Sequence, residues 1–249
     1  MSRMPRKISQ SGIYHVMLRG INQQQIFESS EDYEKFIQMI EICKTISKFK
    51  IFAYCLMGNH IHLLIKQESE PLEQIFKRMG GRFVYWYNTK YQRSGHLFQD
   101  RFKSEPVEDD RYFLTVLRYI HQNPVKAGIC KRIEEYPYSS FAEYISNPRL
   151  IDREYVDKRI SPDSFIEFHN EKNSDKCLDI DERVRMRVTD EEAQRIIFKY
   201  SRCSNVAEFQ KLDIQTRDKK IKIFIKKGLS IRQISRLTGV SFGIVRKFY

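Results

Sequence analysis

Two histidines one residue apart, His60 and His62, open the short run His-Ile-His-Leu-Leu-Ile. In an extended chain, residues two apart point to the same side, so both imidazoles project together while Ile61, Leu63 and Ile65 face a core. Paired imidazoles on one strand face suit either a divalent-cation site or a structural role. Further along, Tyr119 and Asn123 are four residues apart at the end of an apolar-periodic run, and the two side chains can share one helix face. Taken alone they read equally as an aromatic at a core position and an asparagine closing a helix. His121 falls on a different face from Tyr119. Cys55 is expected opposite His62, which makes a Cys/His zinc site a rival.

The elements that must position these groups are legible in outline. Residues 13–19 and 51–57 and the run from His60 are rich in β-formers, and Gly58-Asn59 is a two-residue hairpin signal. Ser29 followed by Glu31 and Asp32 starts a helix that runs to about Ser47. A second helix spans roughly 71–90, and residues 101–107 form a further strand. A third helix begins near Asp109-Asp110 and runs toward Asn123, where Pro124 is expected to stop it. The order β-α-β-β-α-β-α predicts an α+β fold: a ferredoxin-like antiparallel sheet, βαββαβ, followed by one more helix. Tyr85, Trp86 and Tyr87 on the second helix are candidates for stacking on bases, with core packing the stronger reading.

Three ordered motifs carry a family resemblance. Residues 57–65 (Met-Gly-Asn-His-Ile-His-Leu-Leu-Ile) form a His-hydrophobic-His motif with its flanks. With residues 95–104 (Gly-His-Leu-Phe-Gln-Asp-Arg-Phe-Lys-Ser) and 119–128 (Tyr-Ile-His-Gln-Asn-Pro-Val-Lys-Ala-Gly), it resembles the single-tyrosine HUH transposases of bacterial insertion sequences, in their REP-associated branch. The resemblance spans about residues 8–145. It implies that Tyr119 is the nucleophile, attacking single-stranded DNA to give a 5′-phosphotyrosine. It implies that His60, His62 and the Asn123 amide oxygen hold a divalent metal, Mg2+ or Mn2+, that polarises the scissile phosphate. Some relatives carry glutamine in place of Asn123. The ester retains the bond energy, so no nucleotide cofactor is needed, and the chain has no P-loop motif. The resemblance further suggests hairpin DNA as substrate; Arg19, Arg101 and Lys103, on predicted strands or their ends near that catalytic surface, are candidates to contact its phosphates.

The chain has 249 residues, 41% hydrophobic and 31% charged, with a net charge of +12. That is a folding composition with a plausible polyanionic partner. Five scattered cysteines without a C-x-x-C pair argue against a disulfide framework. No apolar run is long enough to span a membrane, and no signal peptide is seen, so a cytoplasmic protein without a membrane partner is expected. A monomer and a homodimer with shared active sites both remain open.

Charge is concentrated at the end. Residues 217–249 hold ten Lys/Arg against Asp218 alone, a net of +9. Here Gly228 can end one helix, Ser230 can cap the next, Gly239 offers a tight turn, and Ser241 can cap a last one. This is the grammar of a helix-turn-helix at about 219–248, with Arg232, Ser241, Phe242, Arg246 and Lys247 available to DNA. The expected organisation is a catalytic domain over 1–145, a linker over 146–188 with room for one helix, and a helical DNA-binding domain over 189–249. Two other functions compete with strand transfer: a non-catalytic DNA-binding regulator using the C-terminal motif, and a metallohydrolase built on the histidine pair.

Overall fold

The computed structural model describes residues 6–173, 175, 177, 178, 188 and 190–249. They fall into two compact units, Met1–Val184 and Arg185–Tyr249.

The first unit is built on a four-stranded antiparallel sheet. Its strands are β1 (Ile13–Arg19), β2 (Lys50–Met57), β3 (His60–Lys66) and β4 (Lys103–Pro106), in the order β2-β3-β1-β4. This is the order expected of a βαββαβ chain, and the α+β reading holds. The connecting helices are α1 (Ser30–Ser47) and α2 (Leu72–Lys90), and α3 (Asp110–Lys126) follows β4. Ser29 begins α1 because Asp32 reaches back: its Oδ2 accepts from the Ser29 N–H at 3.0 Å and the Glu28 N–H at 2.6 Å. Asp109 caps α3 by accepting from the Tyr112 N–H at 2.7 Å.

Strand register sorts the sheet into two faces. Met17 pairs with His62, Arg19 with His60, and His15 with Leu64. The even residues of β3 therefore share a face with the odd residues of β1. The opposite face carries Val16, Leu18, Ile61, Leu63 and Ile65, all buried in the same core as α1 and α2. Those two helices meet edge to face through Phe36 and Phe83, with ring centroids 5.0 Å apart. The face bearing the histidines meets α3.

Two expectations change here. Helix α3 does not stop at Asn123 but continues through Pro124 to Lys126. Pro124 removes only one N–H from the ladder. The helix end is then secured by Gly128, at φ +71°, with Gly128 N–H to Val125 O at 3.0 Å and Ile129 N–H to Pro124 O at 2.9 Å. Asn123 thus keeps helical geometry. Second, residues 146–173 do not behave as a linker. They hold α4's exit (α4, Phe141–Ile145), α5 (Glu154–Asp157) and α6 (Pro162–Asn170). Leu150, Val156, Ile160 and Phe165 are buried in the first unit's core. The polar surface of this stretch masks a few well-spaced apolar anchors. The rest of the expected linker lies mostly outside the described residues.

The second unit is all-helical: α7 (Asp190–Ser201), α8 (Val206–Gln210), α9 (Ile214–Lys226), α10 (Ile231–Thr238) and α11 (Phe242–Arg246). Its core is Ile197, Phe209, Ile221, Phe224, Leu229, Ile234 and Val245. Gly228 (φ +90°) and Gly239 (φ +70°) both adopt the left-handed backbone that ends a helix. Ser230 caps α10 with Gln233 in a reciprocal capping box. Ser241 stands at the α11 N-cap position, but its side chain makes no capping bond; only its carbonyl accepts, from Ile244 and Val245. Among the described residues, no helix is long and apolar enough to cross a membrane.

Candidate active site

The β2–β3 turn brings the histidines into place. Gln25 Oε1 fills the space a Cβ at Gly58 would take, so a side chain there would have to displace the Gln25 amide. The Gly58 carbonyl receives the Ile26 N–H at 2.7 Å, which docks the loop after β1 onto the hairpin. Asn59 Oδ1 lies 2.7 Å from His60 Nδ1. An amide oxygen only accepts, so His60 Nδ1 donates and its Nε2 is left as the lone-pair nitrogen, the form a metal ligand requires.

Rings of His60 and His62 stand perpendicular, with centroids 5.1 Å apart. His60 is half-buried, and His62 is fully buried. Burial first, then the neighbouring His60 and His15, holds the His62 pKa well below the usual imidazole range, so the ring is neutral. Its Nε2 is buried without a hydrogen-bond partner. Tyr119 reaches this pair from α3. Its ring is edge-on to His62 at 5.8 Å and to His15 at 6.0 Å. Tyr119 is 4% exposed, and Lys126 Nζ sits 5.0 Å from its ring centroid, one turn beyond Asn123. Asn123 follows Tyr119 by one turn on the same helix face; its Nδ2 is buried without a hydrogen-bond partner. The structure therefore brings His60, His62 and Tyr119 together, with Asn123 one turn beyond.

Gln122 is occupied elsewhere. Its Nε2 donates to His169 O at 2.7 Å, and its Oε1 accepts from Asn173 Nδ2 at 2.8 Å. His121 is also turned away from the site. His169 Nδ1 donates to Phe165 O at 2.8 Å, so its Nε2 accepts from His121 Nδ1 at 2.9 Å; His121 Nε2 then accepts from Ser140 Oγ at 2.7 Å. This chain ties α3 to α6 and to the segment beside β2.

Cys55 lies directly across from His62, as the hairpin register requires. Burial pushes its thiol well above the usual range. Among the described residues, no three His, Cys, Asp or Glu side chains are arranged to hold a metal. The donor set at this face is two imidazoles and an amide. It fits a divalent cation through the buried His62 Nε2, which has no hydrogen-bond partner, and the oriented His60 Nε2.

The basic residues gather next to the pair. Residues 97–99 run along the end of β1: Ile21 N–H donates to Leu97 O and Gln99 N–H to Arg19 O, at 2.9 and 2.8 Å. Arg19, Arg101 and Lys103 consequently line one cavity of about 200 Å3 with Met17, Gln99 and Asp100. Met17 lies between His62 and Lys103 in the same sheet row. Of the aromatic run on α2, Tyr87 is core, Trp86 is partly buried, and Tyr85 is 77% exposed. In the second unit, Arg232, Ser241, Phe242, Arg246 and Lys247 are all exposed or partly exposed.

His15 is the residue that sequence reasoning missed. It is fully buried, with Nε2 3.0 Å from His62 Nδ1. A histidine inside an apolar strand was a visible signal. The pairing that aims it at His62, 47 positions away, was not.

Residues 9–123 match the family model described as Transposase IS200 like. A curated protein of Haemophilus influenzae named as a REP-associated tyrosine transposase is 32% identical over 105 residues, 37% of this chain and 59% of that protein. The chain thus spans 59% of that relative's length. Among solved structures, a REP-associated tyrosine transposase bound to a REP hairpin superposes with a TM-score of 0.52 at 19% identity, covering 59% of this chain and 87% of the other. From just before β1 to the helical turn that follows Tyr119, the chain is thus similar to the IS200-like transposases.

Proposed function

We propose that the chain is a DNA strand transferase acting on single-stranded DNA, with Tyr119 as nucleophile. The observation that carries this is the placement of the Tyr119 ring 5.8 Å from His62, across the sheet–helix junction. The phenol oxygen attacks the scissile phosphorus and forms a 5′-phosphotyrosine, and the departing strand ends in a 3′-hydroxyl. Attack by that hydroxyl reverses the step, so no nucleotide is consumed. His60, His62 and the Asn123 amide would hold a divalent cation, Mg2+ or Mn2+. Such an ion, when bound, polarises the phosphate and offsets charge in the transition state. Asn59 orients the His60 ring, and α3 delivers Tyr119 and Asn123 together. The basic cavity of Arg19, Arg101 and Lys103 adjoins the half-buried His60, and substrate phosphates enter over that edge.

The structural relative is bound to a REP hairpin, which makes a hairpin or palindromic strand the substrate to test first. Incubation of such an oligonucleotide with the protein and Mn2+ should give a covalent protein–DNA adduct that Tyr119→Phe cannot form. Cleavage by the wild type without any adduct would overturn the reading and favour a metallohydrolase.

A second reading concerns residues 185–249. The Ser230 capping box, the left-handed Gly239 and the outward Arg232, Arg246 and Lys247 favour duplex DNA binding by a helix-turn-helix. As a sole function it makes the chain a regulator; as an addition it supplies a second DNA contact. Hairpin cleavage that survives deletion of residues 189–249 excludes the first of these.

A further inference from the structure

We infer that His15 is a positioning residue, holding the His62 ring in the tautomer whose Nε2 offers a lone pair to the cation. This rests on the reading of His62 as a metal ligand.

Both rings are fully buried, tilted by 34° with centroids 5.1 Å apart, and joined by the 3.0 Å contact between His15 Nε2 and His62 Nδ1. Their outer nitrogens, His15 Nδ1 and His62 Nε2, are buried without hydrogen-bond partners. One hydrogen lies between two neutral imidazoles, so there are two arrangements. In the first, His62 Nδ1–H donates to His15 Nε2, His62 Nε2 is a bare lone pair, and His15 Nδ1 carries a hydrogen that has no acceptor. In the second, His15 Nε2–H donates to His62 Nδ1, and His62 Nε2 carries a hydrogen that has no acceptor. Only the first can ligate. A cation at His62 Nε2 selects it, and the acceptor it requires is His15.

Asn59 performs the same service for His60 by a different route. Its Oδ1 can only accept, so the His60 tautomer is set before any cation arrives. His15 can accept or donate, so the His62 tautomer is set only when the ion and His15 act together. His15 also abuts Tyr119, edge-on at 6.0 Å, and so backs both the ligand and the phenol. Ring partners of this kind change metal affinity by about 10–100-fold when removed.

Two measurements test the inference. In the wild type with saturating Mg2+, long-range 1H–15N correlation spectra should show His62 as the Nδ1–H tautomer; an Nε2–H tautomer there overturns the inference. Mn2+ binding, followed by electron paramagnetic resonance in the absence of DNA, should weaken by about 10–100-fold in His15→Phe. His15→Gln, whose amide oxygen can accept from His62 Nδ1, should retain most of the affinity. A folded His15→Phe that binds Mn2+ as the wild type does, while His62→Ala has lost binding, overturns the role of His15 and leaves the metal site standing. If His62→Ala binds as tightly as the wild type, the ligand reading itself fails and this inference falls with it. Should His15→Phe not fold, the wild-type spectrum decides.

Discussion

Tyr119 stands edge-on to His62, at an interplanar angle of 79° with 5.8 Å between ring centroids, although the two lie on separate elements 57 positions apart. Tyr119→Phe keeps the ring and its packing, and removes only the oxygen. It should abolish adduct formation while hairpin binding and the melting temperature stay near wild type. Adducts that persist in this variant assign the nucleophile elsewhere.

The Asn59–His60 contact makes a prediction of its own. Asn59→Leu removes the acceptor that holds His60 Nδ1–H. The Mn2+ concentration needed for half-maximal cleavage should rise by about 10–100-fold, with the rate at saturating metal less affected. A metal titration of hairpin cleavage reads this directly; an unchanged midpoint counts against His60 as a ligand.

Arg101 and Lys103 share one cavity with Arg19. Changing either Arg101 or Lys103 to glutamine should weaken hairpin binding evenly across loop sequences. Each should also flatten the dependence of log affinity on log salt by about one unit. Fluorescence anisotropy at several salt concentrations provides the slopes. Loss confined to one loop sequence would instead assign base reading to these side chains.

Gly239 sits at φ +70°, and a Cβ there would collide with Val206 and Gln210 of α8. Gly239→Ala should therefore destabilise the second unit by about 1–2 kcal/mol from backbone strain alone, with the collision adding to it. Calorimetry of the full chain should show a lowered transition, while adduct formation on the hairpin persists. Loss of both together would tie the second unit to catalysis.

Acid should weaken the first unit through its buried neutral histidines, the His121–His169 pair together with His15 and His62. Burial holds His121 well below the usual imidazole range, and burial pulls His169 down to about 4. Unfolded histidine titrates near 6.5, at about the usual value. Above that pH the stabilisation is fully present. As pH falls from there toward 4, the unfolded chain takes up protons that the folded one refuses. Stability should fall by about 1.4 kcal/mol per pH unit for each such histidine. Urea midpoints at pH 7.5, 6 and 5 measure it; a flat profile contradicts the buried neutral histidines.

Much of the local structure was legible because its causes are local. The Ser29–Asp32 cap, the Gly58-Asn59 turn, the Asp109 start and the Ser230 and Gly239 boundaries all follow from hydrogen bonds or dihedral preferences within a few residues. The same locality misled at Pro124, where proline chemistry favoured a stop and a glycine-closed helix end a few residues later prevented it. It misled again over 146–173, where average polarity concealed Leu150, Val156, Ile160 and Phe165, each needed in a core built by distant strands.

By itself the sequence determined the chemistry on offer: paired imidazoles on one strand face, a tyrosine and an amide one helical turn apart, and a basic helical tail. Tertiary structure alone decided which of these meet. Register between β1 and β3 put His15 beneath His62 and Arg19 beside His60, and the passage of α3 over that face brought in Tyr119. Such pairings depend on burial shared among segments far apart in the chain. Strand alternation specifies a side chain's face, and only the assembled sheet specifies its neighbour.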